Sequence, residues 1–383
     1  MRETLIRQSD AQSSVPIVAV DAGSLETVLT GLGETAKVWC RANGYSAKPS
    51  SFQLVPGLSG DLQAVLFGVE SGGNADPFSL GSLANALPSG DYHLAEGFPG
   101  AAEASLAFAL SSYKFDRYSA SSNKKAVRLC VPSDVDLDRL TAILNGVQLA
   151  RDLINTPSND LGPEELASAV EALFVENGGA GVITVGDDLL MHGFPMVHAV
   201  GRASSRAPRI ADYSWGAEDA PRVTLVGKGV IFDTGGLNLK PGNSMTLMKK
   251  DMGGAANVLG LASMIMAAKL PVRLRVIVPC VENAVSGNAF RPGDILNSRK
   301  GLTVEIGNTD AEGRLILADA LALADEESPE ILIDMATLTG AARVALGPDL
   351  PPFYTDNEAL AEDIAVMSEA ATDPLWRLPL WKP

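Results

Sequence analysis

The sequence predicts an α/β protein of two domains: a smaller N-terminal α/β domain and a C-terminal domain with a mixed β-sheet flanked by helices. Short apolar runs, typical of buried strands, alternate along the chain with longer apolar-periodic runs, typical of helices. In the second half, polar residues gather directly after the predicted strand ends, where open α/β sheets bind ligands. The length of 383 residues is enough for two hydrophobic cores.

The N-terminal domain, predicted for residues 1–135, contains strands and a helix in alternation. The strands are predicted at residues 15–20 (VPIVAV), 62–69 (LQAVLFGV) and 126–131 (AVRLCV). The helix is predicted at residues 101–111, a run rich in small apolar side chains. This part of the sequence offers no cluster of titratable residues that marks a site, so we expect it to serve scaffolding or assembly.

The C-terminal domain, predicted for residues 136–383, begins with a helix whose first turn is acidic, which favours a helix N-terminus. That helix is predicted at residues 137–153, and Pro163 starts a second one. Four strands are predicted further on, at residues 223–226, 274–279, 303–306 and 331–335. Two helices are predicted among them, at residues 252–270, opened by Asp251, and at residues 315–325.

Composition excludes several classes of protein. Hydrophobic residues make up 46% of the chain, which excludes a largely disordered protein. The formal net charge of −16 is repelled by nucleic acid and by anionic lipid, so neither is an expected partner. The sequence shows no run of eighteen apolar residues, and residues 1–14 lack the apolar region of a secretory signal. We therefore expect a cytoplasmic protein.

Cysteine and histidine are scarce, with three of each. The cysteines are far apart and form no CxxC pair, which argues against a thiolate zinc site and a disulfide framework. A zinc enzyme with histidine ligands usually needs two or three well-placed histidines. If this chain is a metalloenzyme, carboxylates must supply most of its ligands.

Acidic and basic residues stand close to glycine-rich turns in the second half of the chain. The acids are Asp233, Asp251, Asp310 and Glu312, and the bases are Lys228, Lys240 and Arg314. If the four carboxylates were buried together, three cations would not balance them and an attacking hydroxide, whereas one or two divalent metals would. Two metals about 3.5–4 Å apart can clamp such a hydroxide. The pattern points to a dinuclear hydrolase, although each acid alone also fits a turn, a helix cap or a helix-dipole role.

Longer motifs make this interpretation specific. Residues 308–315 (NTDAEGRL) resemble the signature of the cytosolic leucyl aminopeptidase family of metallopeptidases and agree with it at every position. Residues 227–236 (GKGVIFDTGG) and 247–256 (LMKKDMGGAA) resemble the two metal-binding segments of that family. Residues 151–157 (RDLINTP) resemble its entry into the catalytic domain. The resemblance runs from about residue 140 to the end of the chain.

The resemblance implies two divalent metal ions per subunit, Mn²⁺ or Zn²⁺, with Co²⁺ and Mg²⁺ as further alternatives. It implies that Lys228, Asp233, Asp251 and Glu312 hold the tighter metal. It implies that Asp233, Asp310 and Glu312 hold the more exchangeable metal, so that Asp233 and Glu312 bridge both ions. The lysine ligand must be neutral, and two adjacent dications lower its pKa enough for that.

The resemblance also implies the catalytic and substrate-binding residues. Lys240 would polarise the scissile carbonyl group and stabilise the oxyanion. Arg314 would hold a bicarbonate ion, the general base in this family. Met248, Thr337 and Gly340 would line the pocket for the N-terminal side chain of the peptide, with a broad preference for residues like leucine and methionine.

The function implied is an aminopeptidase that releases N-terminal amino acids from peptides by the attack of a hydroxide bridged between two metals. The family forms hexamers, so a homo-hexamer is expected. In the family the catalytic domain continues beyond the motif that ends this chain, so we expect a truncated C-terminus.

The main alternative is a catalytically impaired homologue that acts as a binding or structural module. A DNA-binding regulator is disfavoured by the net charge. A Rossmann dinucleotide enzyme is disfavoured because Gly227 and Gly229 lack the third glycine of that motif.

Overall fold

The structure is a computed structural model that describes residues 1–71, 76–119 and 126–381. The chain divides into two compact units, Met1–Asn155 with Leu259–Leu270, and Thr156–Val258 with Pro271–Pro383. The predicted domain boundary after residue 135 stays a prediction. Among the described helices, none is both long enough and apolar enough to cross a membrane.

In its described residues, the first unit contains a six-stranded sheet, five complete α-helices and the C-terminal part of another helix, residues 259–267. Its strands are β1 (Leu5–Arg7), β2 (Val15–Val20), β3 (Phe52–Pro56), β4 (Leu62–Gly68), β5 (Gly90–Leu94) and β6 (Val127–Val131). Its helices are α1 (Leu25–Leu32), α2 (Glu34–Ala42), α3 (Leu83–Ala86), α4 (Ala101–Ser111) and α5 (Leu137–Asn155). The strand order is β1-β6-β5-β2-β4-β3, and every pairing is parallel except that of β3 with β4.

Both faces of this sheet are buried, as expected for a largely parallel sheet. Successive side chains of a strand point to opposite faces, and strand β4 shows the consequence. Its Val65 and Phe67 belong to one apolar cluster with helices α3 and α4, whereas Ala64 and Leu66 belong to another with helices α1 and α2. The run of apolar residues that predicted a buried strand is therefore the centre of a layered α/β unit.

The second unit is built on a mixed sheet with helices. Its strands are β7 (Ala180–Val185), β8 (Arg209–Trp215), β9 (Arg222–Gly227), β10 (Gly229–Asp233), β11 (Arg273–Asn283), β12 (Ile295–Asn297), β13 (Thr303–Glu305), β14 (Ile331–Met335), β15 (Pro352–Phe353) and β16 (Trp376–Arg377). Its helices are α6 (Pro163–Glu176), α7 (Asp188–Met191), α8 (Pro195–Gly201), α9 (Gly242–Met245), the start of α10 (Gly253–Ala267, which belongs to the first unit from Leu259 onward), α11 (Glu312–Asp325), α12 (Ala341–Leu346) and α13 (Glu358–Ala370).

The main sheet of this unit has the order β14-β9-β11-β8-β7, and β10 pairs with β11. Strands β14, β9, β11 and β10 run parallel to one another, whereas β8 is antiparallel to both β11 and β7. The predicted mixed sheet and the α/β class are thus confirmed. Because the parallel strands end at the same edge, the segments that follow them converge there.

Two helices start differently from the prediction. The helix predicted at residues 252–270 is α10, which begins at Gly253 after a 3₁₀ turn over Met248–Met252. It ends three residues early because Lys269 adopts a left-handed backbone with φ of 51°. Asp251 does not act as the cap of this helix, since its carboxylate bonds to other segments of the chain. Helix α11 begins at Glu312, three residues before the predicted start.

Candidate metal centre

A buried lysine joins three segments of the second unit. Lys228 lies between strands β9 and β10 and extends its side chain toward the start of helix α11. Its Nζ is 2.9 Å from Asp251 Oδ2 and 3.0 Å from Glu312 Oε1. Lys228 and Asp251 are each 2% exposed and Glu312 is 1% exposed, so the two ion pairs are almost free of water. Burial of this kind is costly for isolated charges, so the ion pairs among these residues are needed to stabilise them.

A second lysine forms a similar pair of contacts beside the first. Lys240 Nζ is 2.9 Å from Asp233 Oδ2 and 2.5 Å from Asp310 Oδ1. Asp233 ends strand β10, and Asp310 lies two residues before helix α11. One carboxylate oxygen from each of Asp233, Asp310 and Glu312 lies within 4.8 Å of the other two. The three acids are therefore close enough to share bound cations.

The donor set fits divalent metal ions. In the described part of the chain, the four carboxylates contact two ammonium groups, so full ionisation of these residues leaves an excess of two negative charges. Among the described residues, the buried Glu312 Oε2 atom has no hydrogen-bond partner, although a buried oxygen of this kind is normally paired. Carboxylate oxygens with one amine nitrogen suit Mn²⁺, Zn²⁺ and similar cations. No histidine bonds to these acids in the described part of the chain.

In the absence of metal, the pKa values of the buried residues favour their protonated forms. Burial raises the pKa of Glu312 to about 8, since Lys228 only partly opposes the effect of desolvation and of the neighbouring Asp233 and Asp251. Burial likewise raises the pKa of Asp251. Burial alone would lower the pKa of Lys228, but the carboxylates of Asp251 and Glu312 outweigh it and raise that pKa. Without metal, the centre therefore reduces its negative charge by keeping protons.

Two glycines allow the close approach of these segments. A Cβ atom on Gly313 would lie 2.5 Å from Lys228 Cε and 2.8 Å from its Nζ, so a side chain there would displace the amine. Gly235 has a left-handed φ of 87°, and a Cβ atom on it would lie 2.9 Å from Asp310 Oδ1. Glycine is therefore needed at these two motif positions because a larger residue would crowd the side chains of the centre.

The remaining predicted site residues differ in their placement. The Thr337 hydroxyl, after strand β14, bonds to Asp251 Oδ1 at 2.7 Å and to its backbone oxygen at 2.9 Å. Met248 is half-buried in the 3₁₀ turn, and Gly340 is exposed immediately before helix α12. Arg314 is exposed on the first turn of α11 and forms no ion pair or hydrogen bond with the four acids among the described residues. The pocket and bicarbonate roles of these residues stay predictions.

The structure adds polar residues that the sequence did not single out. Asn283, at the end of strand β11, donates from Nδ2 to Asp233 Oδ1 at 2.8 Å. Thr309 bonds to Gly235 and Asn238 in the loop after Asp233. Thr309 stands inside the NTDAEGRL motif, directly before Asp310, and that position was the available signal. Asn283 follows a long apolar strand in a region without a motif, so it offered only the rule that strand ends carry polar ligands.

The sequence and the fold both resemble known aminopeptidases. The family model described as "Cytosol aminopeptidase family, catalytic domain" matches residues 148–383, and "M17 aminopeptidase, N-terminal domain" matches residues 15–132. A probable cytosol aminopeptidase of Syntrophotalea carbinolica is 42% identical over 287 residues, which cover 71% of this chain and 58% of that protein. The chain thus spans less than two thirds of the length of this curated relative.

Solved structures give the same assignment of fold. The crystal structure of the cytosol aminopeptidase from Coxiella burnetii aligns with a TM-score of 0.93 and 43% identity, over 99% of this chain and 82% of that one. The bottromycin maturation enzyme BotP in complex with Mn aligns with a TM-score of 0.82 and 31% identity, over 96% of this chain and 82% of that one. The resemblance therefore extends over both units of the chain.

Proposed function

Because the chain belongs to the cytosol aminopeptidase family, we propose that it is a metal-dependent exopeptidase that releases N-terminal amino acids from peptides. One observation carries the proposal: four acids and two lysines from separate segments meet in a largely buried centre with an excess of negative charge. Such a centre has no evident structural purpose, because buried ion pairs are rarely more stabilising than apolar packing. It is suited to cation binding and to chemistry.

We assign the metal ligands residue by residue. Lys228, Asp233, Asp251 and Glu312 would hold one ion, and Asp233, Asp310 and Glu312 would hold the other. When bound, divalent ions of this kind act as Lewis acids that polarise carbonyl groups and lower the pKa of water. Manganese is our first candidate, supported by the structure of BotP in complex with Mn, and zinc is the second.

The side chains around the acids would position the peptide and stabilise charge. Lys240 keeps its proton, because Asp310 and Asp233 raise its pKa although burial alone would lower it. Its ammonium group could therefore donate a hydrogen bond to a carbonyl oxygen that gains negative charge. The exposed guanidinium of Arg314 is free of the four acids and could hold a bicarbonate ion as general base. Met248, Thr337 and Gly340 would contact an apolar N-terminal side chain such as leucine or methionine.

The complete set of charged residues argues against the alternative of an inactive binding module. Lys228, Lys240 and the four acids are all present and form two neighbouring sets of ion pairs. Loss of function at the site would be expected to break such a costly arrangement first. The hexameric assembly and the cytoplasmic location stay expectations, and a mass in solution equal to one chain would contradict the hexamer.

The proposed function is tested by hydrolysis of leucine p-nitroanilide. The purified chain, incubated with Mn²⁺ and bicarbonate, is expected to release p-nitroaniline, and a chelator is expected to stop the reaction. Asp233→Asn is the matched inactive control, since it keeps the shape of the side chain and removes its charge. Bound metal without turnover would instead support the binding-module alternative. If the chain shows no turnover and also binds no metal, the dinuclear centre is contradicted.

Metal affinity is expected to rise with pH. At neutral pH Glu312, whose pKa is raised to about 8, holds a proton, and Lys228 holds another. Both groups must lose these protons to become ligands, so metal uptake releases protons. Below pH 8 we therefore expect the Mn²⁺ affinity to increase about tenfold per pH unit for each proton released. Calorimetric titrations between pH 6 and pH 8, in buffers of different ionisation enthalpy, measure both quantities. An Mn²⁺ affinity that does not change with pH would contradict the expected release of protons.

A further inference from the structure

Two buried polar residues lie behind the acids and belong to neither the proposed ligands nor the proposed substrate pocket. Asn283 and Thr309 are both completely buried. They come from different segments, the end of strand β11 and the motif before helix α11. Buried polar side chains are costly unless they are hydrogen-bonded. The side-chain hydrogen bonds of both residues go to the segments that carry the acids, although Asn283 Oδ1 has no partner among the described residues.

Asn283 fixes the orientation of one carboxylate. Its Nδ2 donates to Asp233 Oδ1 at 2.8 Å and to the backbone oxygen of Thr309 at 3.1 Å. The backbone N–H of Gly235 donates to the same Asp233 oxygen at 2.8 Å. With Oδ1 held by two donors, the other oxygen of Asp233 points toward Lys240, 2.9 Å away. One oxygen of the acid is thereby anchored and the other is presented to the centre.

Thr309 fastens the loop between Asp233 and Lys240 to the segment of Asp310 and Glu312. Its hydroxyl donates to the backbone oxygen of Gly235 at 2.6 Å and accepts from the backbone N–H of Asn238 at 2.8 Å. The backbone N–H of Thr309 in turn donates to Asn238 Oδ1 at 2.8 Å. These bonds join residues more than seventy positions apart in the chain.

We propose that Asn283 and Thr309 are positioning residues that hold the two acidic segments at metal-binding distance before any metal arrives. Lys240 offsets part of the repulsion between the carboxylates of Asp233 and Asp310, but without further cross-links the two acidic segments would be free to separate. The free energy needed to bring these segments together again would then lower the affinity for the metal. The inference rests on the proposed function, because it assumes that these acids are the ligands. Substitution of residues that orient metal ligands in this way typically lowers metal affinity about ten- to hundredfold.

The test compares two substitutions of Thr309 in the full chain. Thr309→Val has nearly the same shape without the hydroxyl, and Thr309→Ser keeps the hydroxyl. By calorimetric titration of the metal-free chain with MnCl₂, Thr309→Val is expected to weaken binding about ten- to hundredfold. Thr309→Ser is expected to stay within about threefold of the unchanged chain. Thr224→Val is the matched control, since Thr224 is a buried threonine of strand β9 outside this network.

A second variant covers the case in which Thr309→Val does not fold. Asn238 is exposed, so Asn238→Ala removes the acceptor for the Thr309 N–H without opening the core. It is expected to weaken Mn²⁺ binding about three- to tenfold, while the melting temperature of the metal-free chain changes little. A purely structural role would lower that melting temperature and leave the affinity of the folded chain unchanged.

The outcomes separate this inference from the proposed function. If the unchanged chain binds Mn²⁺ and neither Thr309→Val nor Asn238→Ala weakens the binding, the positioning role is wrong and the proposed function stands. If the unchanged chain binds no Mn²⁺, both are wrong. Weaker binding by the folded variants, with recovery in Thr309→Ser, supports the positioning role.

Discussion

Replacing Glu312 by glutamine is expected to lower aminopeptidase turnover at least about a thousandfold and to reduce metal content below two ions per chain. Glu312 belongs to both proposed ligand sets, and its buried Oε2 has no partner among the described residues. Glutamine keeps the volume but offers one neutral oxygen, so it cannot bridge two cations. Turnover of leucine p-nitroanilide and metal analysis of the purified variant measure the two effects.

The same substitution, although it lowers activity, is expected to stabilise the metal-free chain at high pH. A carboxyl group whose pKa is raised on folding, here to about 8, destabilises the folded state as the pH rises above its ordinary pKa. Glutamine resembles the protonated acid and does not ionise. Metal-free Glu312→Gln should therefore match the unchanged chain in melting temperature near pH 5 and exceed it at pH 9.

The control for Glu312 is Glu305→Gln, which alters an exposed glutamate of strand β13 in the same unit. It is expected to change neither turnover nor metal content. Full activity of Glu312→Gln would remove this residue from the metal centre. A lower melting temperature of the metal-free variant at pH 9 would show that the Glu312–Lys228 pair stabilises the fold, contrary to the raised pKa.

Replacing Lys240 by alanine is expected to lower kcat about a hundred- to thousandfold while two metal ions still bind. In our proposal the Lys240 ammonium stabilises charge that develops on the carbonyl oxygen during hydrolysis, so its loss affects the transition state more than the bound substrate. KM is therefore expected to change by less than about threefold. Steady-state kinetics with leucine p-nitroanilide, together with metal analysis, separate these quantities.

Lys300→Ala is the matched control, because Lys300 is an exposed lysine of the same unit in the turn before strand β13. It is expected to keep full activity. An unchanged kcat in Lys240→Ala would contradict the oxyanion role. In that case the contacts of Lys240 with Asp233 and Asp310 would be those of a counter-ion only. Loss of metal together with activity would instead make Lys240 a residue that assembles the centre.

Local patterns in the sequence located several central elements of the fold but missed many of the shorter ones. Apolar runs located strands such as β4 and β11, because burial of a strand needs a short continuous apolar stretch. Where local signals competed, prediction was less accurate. Asp251 before Gly253 fits a helix cap by its residue type, yet its carboxylate contacts Lys228 and Thr337. A cap and a buried ion pair use the same side-chain chemistry, and only distant neighbours distinguish them.

The family, the α/β class and the candidate acids followed from the sequence itself, since each motif is contiguous and its residues need no partner to be identified. The tertiary structure decided which groups meet. Strand β10 pairs with β11 and not with its chain neighbour β9, which brings Asn283 to Asp233 across fifty residues. It also decided that Lys228 faces Asp251 and Glu312 whereas Lys240 faces Asp233 and Asp310. Strand order and burial are properties of the whole chain, so the pairing of charges and the direction of their pKa shifts emerge only when the sheet has formed.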